Sequence, residues 1–222
     1  MTLQRIPEPQ TLSPFQEAEE YHSMNHDAAN ASFVDDLIAG GSVGPRVIDL
    51  GCGPADIPIA LCNRLDTLEV LATDSEVEML EIAKREIDME GKLEQIMLQH
   101  ADVCDMDDFE DGMANTVISN SMLHHLDDPS VGLATAQRLV AANGRLFVRD
   151  LYRPSSEAEV ESLISLYAGG ESEVAQQLFR QSLIAALTLS EIQELAGGLG
   201  ISAQHVQMTS DRHWTLDWCR ND

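Results

Sequence analysis

The chain has 222 residues and a net charge of −25, since 38 acidic residues stand against 13 basic ones. Affinity for nucleic acid comes largely from Lys and Arg side chains that neutralise phosphates, so this charge predicts no binding to DNA or RNA. No apolar run is long enough to cross a bilayer, and the first residues lack a basic block followed by an apolar one. We therefore expect neither a membrane span nor a secretory signal.

The four cysteines are scattered and form no C-x-x-C pair. This usage favours reduced thiols and therefore a cytoplasmic protein. The acid-rich, lysine-poor composition fits either adaptation to high salt or simple solubility through self-repulsion. Neither alternative predicts the reaction or the oligomeric state.

Residues 1–14 contain three prolines and predict an extended, disordered lead-in. The remainder, 15–222, has the length of a single domain with a substantial core. Two helices are expected first, one beginning at Phe15 and a second ending at Gly40-Gly41.

The segment 47–50 is largely apolar, which predicts a buried parallel strand. Gly51 and Gly53 follow it directly, and glycine lets the backbone turn sharply and a ligand approach closely. Cys52 between them is interpreted as a small neutral spacer. The helix that follows begins with free N–H groups, which suit a ligand bearing an anionic or carboxylate group.

A second strand, 68–73, ends in Asp74, whose carboxylate can accept hydrogen bonds from two ribose hydroxyls. That feature fits NAD or an adenosyl ligand equally. The dinucleotide fingerprint would need a third glycine at position 56, where the chain has Asp56. The motif Asp49-Leu50-Gly51-Cys52-Gly53 favours an adenosyl ligand over NAD. With it, the chain closely resembles the class I S-adenosylmethionine (SAM)-dependent methyltransferases.

The resemblance implies a Rossmann-like, doubly wound α/β fold. Its mostly parallel, seven-stranded sheet would have the order 3-2-1-4-5-7-6, with an antiparallel last strand. A helical insertion at about 155–187 would form a lid over the acceptor pocket. The remaining strands are predicted at 93–100, 114–120, 145–150, 201–208 and 213–218.

The resemblance also implies a set of SAM-binding residues. In the family, an acidic residue after the third strand accepts from the adenine amino group, and Asp102 matches it. Met79 and Tyr21 fit helix packing as well as cofactor contact, and Ser75 with Glu78 predicts a capping box. The full expected set is Tyr21, Asn30, Asp49, Gly51, Cys52, Gly53, Asp74, Ser75, Met79, Asp102, Val103, Asn120, Ser121 and Met122.

The loop after the fourth strand reads Asn-Ser-Met-Leu-His-His-Leu and resembles a small-molecule, UbiE-like subset of the family. The tetrapeptide D/N-P-P-Y/F is absent, which counts against a nucleobase or a glutamine amide as acceptor. His124 and His125 are the catalytic candidates, because an imidazole titrates near working pH. His125 is expected to face the site, either as a base or as a brace of the loop.

Further candidates for acceptor binding, beside Tyr21 and His125, are Arg153, Arg180 and His213. Arg153 follows a central strand and fits a substrate carboxylate or an ion pair with Asp150. His213 belongs to an Asp-Arg-His-Trp element that resembles the same small-molecule subset. The acidic run that begins at Asp102 lacks the glycine and glutamate of a calcium loop, so no metal site is predicted.

The resemblance implies an enzyme that transfers a methyl group from SAM to a small-molecule acceptor. Two alternatives stay open. One is an NAD(P)-dependent oxidoreductase, which the missing third glycine argues against. The other is a SAM-binding partner or sensor protein without catalysis, which an intact cofactor motif does not exclude.

Overall fold

The computed structural model describes residues 3–9 and 12–221, without the side chain of Glu17. This part of the chain contains seven strands and eight α-helices. The strands are β1 (Arg46–Leu50), β2 (Glu69–Asp74), β3 (Ile96–His100), β4 (Ala114–Asn120), β5 (Val140–Leu151), β6 (Val206–Met208) and β7 (His213–Cys219). The helices are α1 (Pro14–Ser23), α2 (Asp27–Gly40), α3 (Asp56–Arg64), α4 (Val77–Met89), α5 (Pro129–Leu139), α6 (Glu157–Tyr167), α7 (Glu173–Ala185) and α8 (Leu189–Gly198).

The strands form one sheet in the order β3-β2-β1-β4-β5-β7-β6, which confirms the predicted order. β1 pairs in parallel with both β2 and β4, and β2 pairs in parallel with β3. β6 pairs antiparallel with β7, as expected for the last two strands. The register places Asp49 of β1 beside Ala72 of β2 and Ile118 of β4, so the carboxyl ends of these three strands are aligned.

The described residues form two compact units. The motif unit combines 25–120, 131–148 and 217–221, and it contains the glycine motif. The histidine unit combines 3–9, 12–24, 121–130 and 149–216, and it contains the paired histidines. The single domain expected over 15–222 stays a prediction.

Each unit has its own apolar core. In the motif unit, Phe33 and Leu37 of α2 are fully buried in one cluster with Val47 and Phe147. The rings of Phe33 and Phe147 meet edge to face, with centroids 5.0 Å apart. Burying one such side chain is worth about 1.5–3 kcal/mol. In the histidine unit, the core is formed by Leu151, Val160, Leu163, Ile164, Leu183 and Ala186.

Two predicted helix caps are wrong. Ser75 does not cap α4, because the carboxylate of Asp74 accepts the N–H of Glu76 at 2.9 Å and the helix begins at Val77. Ser190 and Gln193 likewise predict a capping box for the last helix, but that helix begins at Leu189, and Thr188 with Glu191 form its capping box.

Three strand boundaries also differ from prediction. β3 begins at Ile96 because the N–H groups of Gln95 and Ile96 both donate to the carbonyl of Lys92 in a preceding turn. β6 is short because Ala203–His205 forms a 3-10 turn before it. Asn143-Gly144 predicts a tight turn before the strand expected at 145–150, but β5 begins at Val140 and runs through this pair.

The N-terminal segment, residues 3–9, has no regular secondary structure, yet it makes specific bonds where disorder was expected. Arg5 donates to the carbonyls of Leu126 at 2.6 Å and Ala185 at 2.7 Å. Leu3 packs against the core of the histidine unit. The lead-in residues Met1, Thr2, Gln10 and Thr11 lie outside the described part of the chain.

The helical insertion expected at about 155–187 consists of α6 and α7. Its role as a lid stays a prediction. Among the described residues, no helix combines the length and apolar character that a membrane span requires.

Candidate functional site

The glycine turn joins β1 to α3. Gly51 (φ 72°) and Gly53 (φ 52°) have left-handed backbone, which glycine adopts without steric cost. The N–H groups of Gly51 and Cys52 both donate to the carbonyl of Thr73 at 2.9 Å. Ala55, directly before α3, is also left-handed, with φ 68°. The turn is therefore held against the end of β2 in a conformation that most residues adopt only at a cost.

Asp74 fixes this turn through its side chain. Its Oδ2 accepts the N–H of Gly53 and its Oδ1 accepts the N–H of Glu76, both at 2.9 Å. An ionised carboxylate has about four acceptor positions, so it can bind ligand hydroxyls while keeping two backbone bonds. The residue predicted to hold the ribose is thus also a structural residue of the turn.

Asp49 lies at the end of β1 and is only 2% exposed. Burial, and then the charge of Asp74, raise the pKa of Asp49 to about 8. Burial, followed by the charges of the same two carboxylates, raises the pKa of the Cys52 thiol well above its usual range. The thiol is therefore protonated at neutral pH, which is consistent with a neutral spacer.

The other predicted cofactor residues of the motif unit lie on separate elements. Asp102 is exposed, and its Oδ1 accepts the N–H of Cys104 at 2.8 Å. Asn30 of α2 donates from its side chain to Asp56 at the start of α3, at 3.3 Å. The remaining ones are Ser75, which is exposed, Met79, which is half-buried on α4, Val103, which is buried, and Asn120, which ends β4.

Three predicted cofactor residues belong to the histidine unit. Tyr21 lies in the last turn of α1, and Met122 is buried. Ser121 has φ 55°, a left-handed conformation that is uncommon for a residue other than glycine. Its N–H donates to the carbonyl of Arg149 at 2.9 Å. The loop after β4 therefore begins with strained backbone, a feature that clusters at functional sites.

His124 is buried, with 3% of its side chain exposed, and it is bound twice by Asp150. Its Nδ1 lies 2.5 Å from Asp150 Oδ1, and its backbone N–H donates to Oδ2 at 3.1 Å. Burial alone would raise the pKa of Asp150, but the charge and hydrogen bond of His124 outweigh it and lower that pKa. This geometry is that of a brace for the loop.

His125 is different, because 45% of its side chain is exposed. Its Nδ1 lies 2.5 Å from Oε2 of Glu8, and Oε1 of Glu8 accepts the hydroxyl of Ser182 at 2.6 Å. Burial alone would raise the pKa of Glu8, but the hydrogen bond and charge of His125, with the charge of His124, bring it to about 2. The sequence did not predict Glu8, because nothing in its lead-in context indicates a partner 117 residues away.

The two arginines predicted for the acceptor bind carboxylates of the protein. Arg153 is buried and donates to Glu191 at 2.5 Å, so the ion pair predicted with Asp150 is wrong. The carboxylate of Asp150 is used by His124 instead. Arg180 of α7 forms ion pairs with two glutamates of α6, Glu157 and Glu161.

His213 begins β7, and its Nδ1 lies 2.9 Å from the hydroxyl of Ser210. Burial, and then the charges of Arg212 and Arg149, lower the pKa of His213 to about 4. Its imidazole is therefore neutral at pH 7.

Residues 48–148 match a protein-family model described as a methyltransferase domain. The chain is 23% identical over 182 residues to the ubiquinone biosynthesis O-methyltransferase of Photobacterium profundum, a match over 79% of this chain and 74% of that protein. It is 23% identical over 109 residues to the demethylmenaquinone methyltransferase of Bacteroides fragilis, over 49% of this chain and 44% of that protein. Other curated relatives are matched over only 28 and 29% of their length.

Among solved structures, a SAM-dependent methyltransferase from Aquifex aeolicus is similar with a TM-score of 0.65 at 12% sequence identity. The superposition covers 94% of this chain and 99% of that one. At this identity the likeness concerns the fold. The chain therefore has the sheet order and fold of SAM-dependent methyltransferases of known structure, and its residues 48–148 are similar to a methyltransferase domain, as its motifs predicted.

Proposed function

We propose that this protein transfers a methyl group from SAM to a small-molecule acceptor and releases S-adenosylhomocysteine. The observation that carries the proposal is the glycine turn. Its left-handed Gly51 and Gly53 are held by Thr73 and Asp74, within the residues that match a methyltransferase domain. A turn of this kind lets a ligand approach the backbone, and Asp74 provides the acceptor for ribose hydroxyls.

Methyl transfer from SAM requires little acid–base catalysis from the protein. An acceptor atom attacks the methyl carbon of the sulfonium in line, the carbon–sulfur bond breaks, and the thioether leaves without needing a proton. Positioning and exclusion of water can therefore supply much of the rate. In this account His124 braces the loop after β4, and a base role for His125 stays a prediction.

A small acceptor is supported by three observations. The two named relatives are, by name, a demethylmenaquinone methyltransferase and a ubiquinone biosynthesis O-methyltransferase. The D/N-P-P-Y/F tetrapeptide is absent from the loop that begins at Ser121, and the net charge of −25 opposes binding to phosphodiesters.

The four cysteines are free thiols, which fits the predicted cytoplasmic location.

The test is a turnover assay with SAM and a panel of small phenols, quinols, amines, thiols and carboxylic acids. Formation of S-adenosylhomocysteine that depends on one acceptor class would support the proposal. A protein that binds SAM tightly but forms no product with any class would instead be a partner or sensor.

We expect SAM binding to release about one proton at neutral pH. Asp49 has a pKa of about 8 without ligand, so its carboxyl is mostly protonated at pH 7. SAM carries a sulfonium and an ammonium, and a nearby cation favours the ionised carboxylate. Calorimetry in two buffers with different ionisation enthalpies measures the released proton.

The matched control for this measurement is Asp49→Asn, which copies the shape of the neutral carboxyl and has no proton to release. Equal proton release in the parent and in this variant would show that Asp49 does not lose a proton when SAM binds. The raised pKa of Asp49 also makes the stability of the ligand-free protein depend on pH. Between about pH 4 and 8 the folded state holds this proton and the unfolded chain loses it, so the free energy of unfolding should fall as the pH rises through this range.

A further inference from the structure

Three potential metal ligands from two distant parts of the sequence meet in the histidine unit. Glu8 offers a carboxylate oxygen, and His124 and His125 each offer a ring nitrogen; the three ligand atoms all lie within 4.8 Å of one another. Nε2 of His124 lies 3.8 Å from Oε1 of Glu8, and Nδ1 of His125 lies 2.5 Å from Oε2. We propose that these three side chains form a binding site for a divalent transition-metal ion.

The groups around the cluster are those that orient metal ligands. A histidine that binds a metal usually donates its other ring N–H to a carboxylate, which fixes the tautomer and aims the lone pair. Asp150 is that carboxylate for His124, since it lies 2.5 Å from Nδ1 and leaves Nε2 directed to the Glu8 side. Ligating carboxylates are themselves hydrogen-bonded, and Ser182 donates to Glu8 at 2.6 Å.

The charges of the cluster also favour a cation. Glu8 and Asp150 place two carboxylates beside two imidazole rings whose centroids are 4.1 Å apart. A divalent ion would match these two carboxylates in charge, and a neutral imidazole nitrogen is a common metal ligand.

The ligand types indicate the class of metal. Two imidazoles and one carboxylate suit Zn²⁺, Co²⁺ or Ni²⁺ better than Mg²⁺ or Ca²⁺, which prefer oxygen ligands. Three protein ligands would leave a coordination position for water or another molecule. Tetrahedral ligands at about 2.0–2.1 Å from Zn²⁺ lie roughly 3.3 Å apart, so Glu8 and His125 would separate slightly on binding. Glu8 lies in a segment without regular secondary structure, which permits such a shift.

This inference goes beyond the proposed function and does not depend on methyl transfer. A metal bound at Nδ1 of His125 would exclude the base role, one of the two roles expected for this residue, because a nitrogen that holds a metal cannot accept a proton. The proposed site also differs from the expectation, drawn from the sequence, that the protein has no metal site. A bound ion would join the N-terminal segment to the loop after β4, adding to the bonds that Arg5 already makes to Leu126 and Ala185.

The test is metal titration of the full chain, purified without an affinity tag and stripped with a chelator. We expect one Co²⁺ per chain, with visible absorption bands of a low-coordinate site, and displacement by Zn²⁺. Glu8→Gln and His125→Gln should each weaken Zn²⁺ affinity at least 10-fold to 100-fold, and Ser182→Ala should weaken it less. The matched control is His22→Gln, which removes an exposed histidine of α1 outside the cluster and should change nothing.

Melting curves in chelator show whether each variant folds, so that a lost site is not mistaken for a lost fold. The proposal is overturned if the parent binds no Co²⁺ or Zn²⁺ at micromolar concentrations, or if Glu8→Gln and His125→Gln bind as well as the parent. SAM calorimetry on the metal-free protein tests the proposed function separately, because the residues of the glycine turn do not belong to this cluster.

Discussion

Replacing His124 with alanine should lower the free energy of unfolding by about 3–5 kcal/mol, the range found when one partner of a buried ion pair is removed. The reason is Asp150, which is 1% exposed and would keep a buried carboxylate without its imidazole partner. Chemical denaturation in the presence of a chelator measures the effect free of any metal.

The matched control for His124→Ala is His125→Ala in the same loop. His125 is 45% exposed, and Glu8 keeps the hydrogen bond from Ser182 when the imidazole is removed, so this substitution should cost less than His124→Ala. A double-mutant cycle with Asp150→Ala isolates the pair, because the second substitution removes the stranded charge. If His124→Ala costs no more than His125→Ala, then His124 does not brace the loop.

Replacing Asp74 with alanine should weaken SAM binding by about 2–4 kcal/mol, from the loss of hydrogen bonds to a charged acceptor. The dissociation constant should therefore rise roughly 30-fold to 1000-fold. Calorimetry with SAM on the folded variant, well below its melting temperature, measures the change.

The structure adds a second expected effect of this substitution. Asp74 accepts the N–H groups of Gly53 and Glu76, so Asp74→Ala should also lower stability, by about 1–3 kcal/mol. Asp107→Ala is the control, because it removes the same charge from an exposed turn. An unchanged affinity for SAM would remove Asp74 from the cofactor site, whatever happens to stability.

The sheet could be predicted from sequence because its signals are local. Apolar segments mark β1 and β2, glycines follow the first, and an acidic residue closes the second at the spacing of a known family. The same local rules failed at the start of α4, where Ser75 and Glu78 fit a capping box. The carboxylate of Asp74 takes the N–H of Glu76 instead, and a sequence pattern does not show which acceptor wins.

The histidine cluster could be predicted only in part. The His-His pair is visible in the sequence, but which ring is buried depends on Asp150, which sequence reasoning paired with Arg153. β5 carries Arg145 and Arg149 besides Asp150, so the charge of Asp150 in this strand did not indicate which residue would be its partner. Glu8 gave no such signal, because the prolines around it predicted disorder and its partners are set by tertiary packing.

Calorimetry with SAM, S-adenosylhomocysteine and NAD tests most directly whether SAM is the methyl donor that we propose for this protein. We expect SAM and S-adenosylhomocysteine both to bind, since Asp74 and the glycine turn would hold the adenosyl part that the two share, and we expect NAD not to bind. Binding of NAD without binding of SAM or S-adenosylhomocysteine would show that the proposed cofactor is wrong.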